Sequence, residues 1–184
     1  MALLHESEGL VTAEELACLP DLGPCELVNG KIIHLSPARA VHGVVEARVG
    51  ARLSAYADEG DRGVVLAGEA GLLIRRNPDT VRGADLVFIS QERYARCQPD
   101  FYVDVAPELV VEVLSPGDRR GEVQEKLVDY FEMGVDLVWI VDSKARYVLA
   151  YHSLFEVERF EIGDLLTDEE ILPGLSMPVA DLFR

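Results

Sequence analysis

Apolar positions change period several times along the chain, and each change marks an element. Thr12 stands three residues before Glu15, a capping-box spacing that predicts a short helix stopping before Pro20. The runs 25–28 and 31–35 flank Asn29-Gly30. Asn-Gly between apolar runs predicts a tight β-hairpin, because both turn residues need positive φ. From Ala40 the period lengthens: Val41, Val45, Val49 and Leu53 recur every four residues, with Val44 beside them. This predicts an amphipathic helix ending near Gly60. Residues 64–67 and 71–74 read as two short strands and 84–89 as another, after which Ser90 caps a short helix through Arg96. The nearly continuous apolar run 108–114 is expected of a central strand covered on both faces. Ser115-Pro116-Gly117-Asp118 ends it, and a helix follows from Arg119 to Met133, closed by Gly134. Residues 136–141 predict a strand, 147–152 and 155–162 an antiparallel pair, and Leu172-Pro173-Gly174-Leu175 an irregular close. That order belongs to an α/β (α+β) domain, a mixed sheet with helices against it, and not to a regular βαβ repeat.

The length of 184 residues suits a single domain, 1–184, with residues 1–20 as an N-terminal helical extension. No apolar run approaches the roughly 20 residues that span a bilayer. The first ten residues carry His5, Glu6 and Glu8 and lack the basic start of a signal peptide, so a cytoplasmic, non-membrane protein is expected. Cys18, Cys25 and Cys97 are odd in number and match no zinc spacing; idle thiols in a reducing compartment are expected. A net charge of -16 speaks against a general polyanion binder. The charge is uneven, however. Lys and Arg outnumber acids between Lys31 and Arg82, whereas the tail from Glu156 onward is acidic. A polyanion would have to meet the N-terminal half.

Glu112 lies inside the apolar run 108–114, where an unpaired carboxylate is costly to bury. A metal, a cationic partner or a raised pKa must stabilise it. Asp85 repeats the pattern near the start of another apolar strand, where a lone Asp could equally be a turn or cap residue. Two such carboxylates on neighbouring strands could together hold Mg²⁺, an oxygen-seeking ion. In the helix that follows, Lys126 and Tyr130 share a face, next to the apolar pair Leu127 and Phe131. Lys126 either reaches inward along that stripe or pairs at the surface with Glu122.

The stretch from Pro107 to Pro116, followed by Lys126, Tyr130, Gly134-Val135 and Trp139-Ile140-Val141-Asp142, resembles the Uma family of restriction endonucleases. Glu26-Leu27-Val28-Asn29-Gly30, Ser36-Pro37 with His42, and Arg82-Gly83-Ala84-Asp85-Leu86 fit the same pattern in the same order, so the likeness spans about Glu26 to Leu175. The resemblance implies a PD-(D/E)XK nuclease fold, a restriction-endonuclease-like mixed central sheet flanked by helices. It implies Asp85 and Glu112 as metal ligands. The superfamily usually sets its lysine two residues after the glutamate, but Leu114 stands there. The resemblance moves that role to Lys126. Ala84 occupies the place of the usual proline. Glu46 matches an accessory acid, with His42 one turn before it, and Glu69 is a further candidate.

The expectation is thus a Mg²⁺-dependent DNA endonuclease, with Mn²⁺ able to substitute and no organic cofactor. Asp85, Glu112 and the Val113 backbone carbonyl would hold the ion. Lys126 would stabilise developing charge, and Gln124 and Tyr130 would position it or the phosphate. A homodimer related by a two-fold axis is expected. The competing readings are a nuclease fold that binds nucleic acid or protein without cutting, and a carboxylate-based hydrolase of another kind.

Overall fold

The Asn29-Gly30 turn joins strands β1 (Cys25–Val28) and β2 (Lys31–His34). Its φ angles of 51° and 74° are the positive values that a tight hairpin turn demands. The computed structural model describes residues 9–20, 22–115, 117 and 119–184. Ahead of the hairpin, helix α1 (Ala13–Cys18) begins on the Thr12–Glu15 capping box. It buries Ala13 and Leu16 against Leu27 and Val81.

Asp79 fastens that helix. Its carboxylate accepts from Ala13 N–H at 2.8 Å and Asn77 N–H at 3.2 Å, and pairs with Arg76 at 2.9 Å. Burial raises the Asp79 carboxyl pKa, but these donors outweigh it and hold the group below its usual value. A group so depressed contributes stability above its unfolded pKa of about 3.9 and loses it as pH falls through the folded value. Asp79→Ala is therefore expected to cost about 1–3 kcal/mol at neutral pH. The gap to wild type should close below about pH 4. Urea unfolding of both proteins at the two pH values measures this.

Helix α2 (Ala40–Asp58) packs Val45, Val49, Leu53 and Tyr56 onto one face of the sheet. Strands β3 (Gly63–Arg75) and β4 (Thr80–Ser90) form a long antiparallel pair. The two short strands expected at 64–67 and 71–74 are in fact one. Gly68 (φ 79°) and Glu69 (φ 60°) form a bulge where the register shifts between Ala67 and Ala70. A bulge bends a strand without ending it, so the small and polar residues there only resembled a break.

After α3 (Gln91–Tyr94), capped by Ser90, comes the central strand β5 (Leu109–Leu114). Helix α4 (Arg120–Met133) ends on left-handed Gly134, and β6 (Leu137–Asp142) then runs parallel to β5. Strands β7 (Tyr147–Ser153) and β8 (Glu156–Phe160) complete a mixed sheet of order β2-β1-β4-β5-β6-β7-β8, with β3 also on β4. Side-chain alternation divides the core. Leu86, Val111 and Trp139 face α2, whereas Val87, Val110 and Ile140 face Leu127 and Tyr130 of α4.

The segment 172–175 is not irregular. Strands β9 (Leu165–Asp168) and β10 (Leu172–Pro178) form a separate two-stranded sheet leading into α5 (Val179–Leu182). A register shift between Leu172 and Ser176 absorbs Pro173 and Gly174, and Leu166, Leu172 and Met177 close the core on the α2 side. Pro116 and Asp118 of the expected turn, and residues 1–8, lie outside the described residues. Among the described residues no helix is long and apolar enough to cross a membrane.

Candidate active site

The β4–β5 ladder pairs Phe88 with Leu109, Val87 with Val110 and Leu86 with Val111, and stops there. Beyond that point the regular pairing is not continued, and on the other edge of β4 Asp85 stands opposite the Gly68-Glu69 bulge of β3. Glu112 meets Lys126 and Tyr130 of α4 while Asp85 meets His42 of α2, so the two carboxylates border the end of the ladder from the two sides of the sheet. Where the ladder ends, the Val113 N–H lacks a backbone acceptor, and Asp85 Oδ2 takes it at 2.6 Å. This bond draws the Asp85 carboxylate, 5 % exposed, into the gap between the strands. The N–H and C=O of a strand residue point to the same side, so the Val113 carbonyl borders the same gap.

From the α4 side, Lys126 Nζ donates to Glu112 Oε2 at 3.0 Å, Oε1 at 3.1 Å and the Gly83 carbonyl at 2.9 Å, and pairs with Glu26 at 3.2 Å. Tyr130, one turn later, donates its hydroxyl to Glu112 Oε1. Burial pushes the Glu112 carboxyl up to about 7, against the pull of Lys126 and with the Asp85 charge adding to the rise. Burial alone would lower the Lys126 ammonium pKa, but Glu112 and Glu26 raise it above its ordinary value, so it stays charged. Burial and the neighbouring Glu112 keep Tyr130 a protonated donor.

From the α2 side, His42 Nε2 lies 3.2 Å from Asp85 Oδ2, and its Nδ1 lies 3.7 Å from Glu46. Donor atoms of His42, Glu46 and Asp85 all fall within 4.8 Å of one another. The Asp85 hydrogen bond raises the imidazole pKa despite its burial. Burial, then the Asp85 charge, raises Glu46. Glu69 reaches in from the β3 bulge. Its carboxylate lies over Gly83, where an added Cβ would stand 2.8 Å from Oε2. Burial and then Asp85 push its pKa up as well.

Of the expected site residues, the structure thus gathers Asp85, Glu112, Lys126, Tyr130, His42, Glu46 and Glu69, with Val113 at the edge. It does not bring Gln124 to them. Gln124 is exposed and two positions from Lys126, so it looks out from the other side of α4. The alternative surface pairing of Lys126 with Glu122 is absent; Glu122 accepts from Arg119 N–H at 3.3 Å instead. Trp139, the single tryptophan, is fully buried and offers no sugar platform.

Four charged residues without an assigned role support the lysine. Arg82 donates to Glu26 at 2.8 Å and to Asp129 at 2.6 Å, while Arg75 meets the other Asp129 oxygen at 2.6 Å. Glu26 also accepts from Gly83 N–H at 3.1 Å. Charges alternate along this buried chain, so each compensates its neighbours. The signal that could have found it is the one that singled out Glu112, a charge inside an apolar strand, since Glu26 and Arg82 both sit in such runs.

A family model named Uma2, with the description "Putative restriction endonuclease", matches residues 13–180. A solved structure, described as a "putative nuclease belonging to DUF820" from Anabaena variabilis ATCC 29413, is similar over 94% of this chain and 97% of that one. Its TM-score is 0.78 at 20% identity, a likeness of fold. Comparison with curated proteins finds no match.

Proposed function

This chain belongs to the Uma2 family, and from that premise we propose that it is a divalent-metal-dependent nuclease hydrolysing phosphodiester bonds of DNA. The observation that carries the reading is the end of the β4–β5 ladder, where Asp85, Glu112, Lys126 and His42 converge on one gap.

The donor set suits a divalent cation. The carboxylates of Asp85 and Glu46 and the His42 imidazole lie within mutual reach, and His42 Nδ1 is buried without a hydrogen-bond partner. Asp85 would be the shared ligand, with Glu112 and the Val113 carbonyl on one side and His42 and Glu46 on the other. Oxygen donors suit Mg²⁺, and the imidazole favours Mn²⁺. The ion would supply Lewis acidity and activate water for attack on the phosphodiester. Lys126, held charged, would stabilise the charge that develops on phosphate. Tyr130 would orient Glu112, and the Arg82 chain would keep Glu26 and hence Lys126 in place. DNA would approach over the less acidic N-terminal half.

A cation that binds only the folded state raises its stability by about 2.7 kcal/mol at a hundred times its Kd. For a domain of this size that is a rise of about 5–10 °C in Tm. Thermal melts with Mn²⁺ and Mg²⁺ are expected to show this rise in wild type and lose it in Asp85→Asn. One observation favours a second reading, a nuclease fold that binds DNA or protein without cutting: both Glu112 oxygens are already engaged by Lys126 and Tyr130. A wild type whose Tm ignores both ions would select that reading.

A further inference from the structure

Gly71 of β3 and Gly83 of β4 stand directly opposite each other in the ladder, so two neighbouring Cβ positions on one face of the sheet are vacant. The vacancy is used. A Cβ at Gly71 would lie 2.5 Å from the Tyr102 ring, and one at Gly83 would lie 2.8 Å from Glu69. Beside this glycine floor is a cavity of about 180 Å³, lined by Leu16, Leu19, Leu22 and Tyr102 together with Glu69 and Gly83. Leu19 and Leu22 remain 42% and 39% exposed although they border it. Gly83 precedes Asp85 by two residues, so the floor lies about 7 Å along the same face from the metal-ready carboxylate.

We propose that this slot receives one unpaired nucleobase of the strand being cut. The chain would then cut DNA beside unpaired bases in preference to continuous duplex. The inference rests on the nuclease reading and adds the substrate class. Three observations choose the occupant. The cavity borders the candidate active site, since Glu69 and Gly83 line it and the Gly83 carbonyl accepts from Lys126. Its lining joins apolar side chains to polar groups and includes one aromatic wall, Tyr102, the kind of surface on which any base stacks whatever its sequence. A net charge of -16 suits grip through a base better than extended neutralisation of duplex phosphates.

The test uses oligonucleotide hairpins carrying 2-aminopurine at one position, either unpaired or fully paired, with Ca²⁺ for binding and Mn²⁺ for cleavage. Wild type is expected to change the fluorescence of the unpaired probe and to cut beside it at least about tenfold faster than in the paired control. Leu19→Trp, which fills the slot, should remove both preferences. Tyr102→Ala, which strips its wall, should weaken them and serves if Leu19→Trp fails to fold. Both variants should keep the metal-induced rise in Tm. Equal cutting of paired and unpaired hairpins would overturn the slot and leave the nuclease reading standing. Probe binding lost in Leu19→Trp, without cleavage by wild type, would support the slot and overturn cutting. Neither binding nor cleavage of any hairpin would overturn both.

Discussion

Asp85→Asn is expected to lower metal-dependent cleavage of DNA by at least two to three orders of magnitude while leaving the fold close to wild type. The amide oxygen can still accept from Val113 N–H, so the bond that closes the strand gap survives. The charge that would hold the ion does not. Asp85→Ala removes both, and the orphaned Val113 N–H should cost a further 1–3 kcal/mol, roughly, of stability. Comparing the two variants thus separates chemistry from folding. Lys126→Met should match Asp85→Asn in lost cleavage, for a different reason. Glu112 is held up to about 7 even with the ammonium beside it. Without Lys126 the carboxyl rises further and stays protonated at neutral pH, leaving neither counter-charge nor carboxylate. Plasmid nicking with Mn²⁺ or Mg²⁺, alongside urea melts, measures all three. Cleavage that survives every substitution would remove the assignment.

The largest effect on stability is expected at Arg82. Its side chain is 8 % exposed, and its Nε and Nη1 bond Asp129 and Glu26, themselves 6 % and 3 % exposed. Arg82→Met leaves two buried carboxylates short of a partner, a loss of about 3–5 kcal/mol for a broken buried pair. At about 2–4 °C per kcal/mol this lowers Tm by some 6–20 °C. Arg82→Lys should recover little, since one ammonium cannot reproduce a fork that reaches two elements at once. A melt within about 1 kcal/mol of wild type would show that Glu26 and Asp129 find other partners.

Much of this arrangement can be read from residue order because it rests on local rules. Asn29-Gly30 makes the hairpin through its own backbone preferences, and Gly134 stops α4 by adopting the left-handed region. Glu112 declares itself by standing in an apolar strand, whereas Lys126 beside its apolar stripe stays open between an inward reach and a surface pairing with Glu122 until the family resemblance is added. The departures share another cause. Whether Glu69 ends a strand or bulges it depends on pairing with β4, which lies further along the chain. The fold of 172–175 depends on a partner at 165–168 and on the core face that both cover. The ion pairs Arg82–Glu26 and Arg82–Asp129 join positions 56 and 47 residues apart. Such partners follow from strand order, which no local pattern contains. The role of His42 is of the same kind: its helix is legible, but its meeting with Asp85 depends on where the β4–β5 ladder stops.

Leu114 stands where a strand lysine would sit two residues beyond Glu112. The cation comes instead from α4, which is held against the sheet by packing and by side-chain contacts such as Asp129 with Arg75 and Arg82. Leu127 and Tyr130 rest on Val87, Val110 and Ile140. A lysine on the same strand as its carboxylate would have its separation set by covalent geometry. Here the separation depends on how a helix seats on the sheet, through a layer of hydrocarbon and the ion pairs beside it. Truncating Leu127 would leave every polar group of the site chemically intact and still let the ammonium drift, so turnover becomes a gauge of core volume.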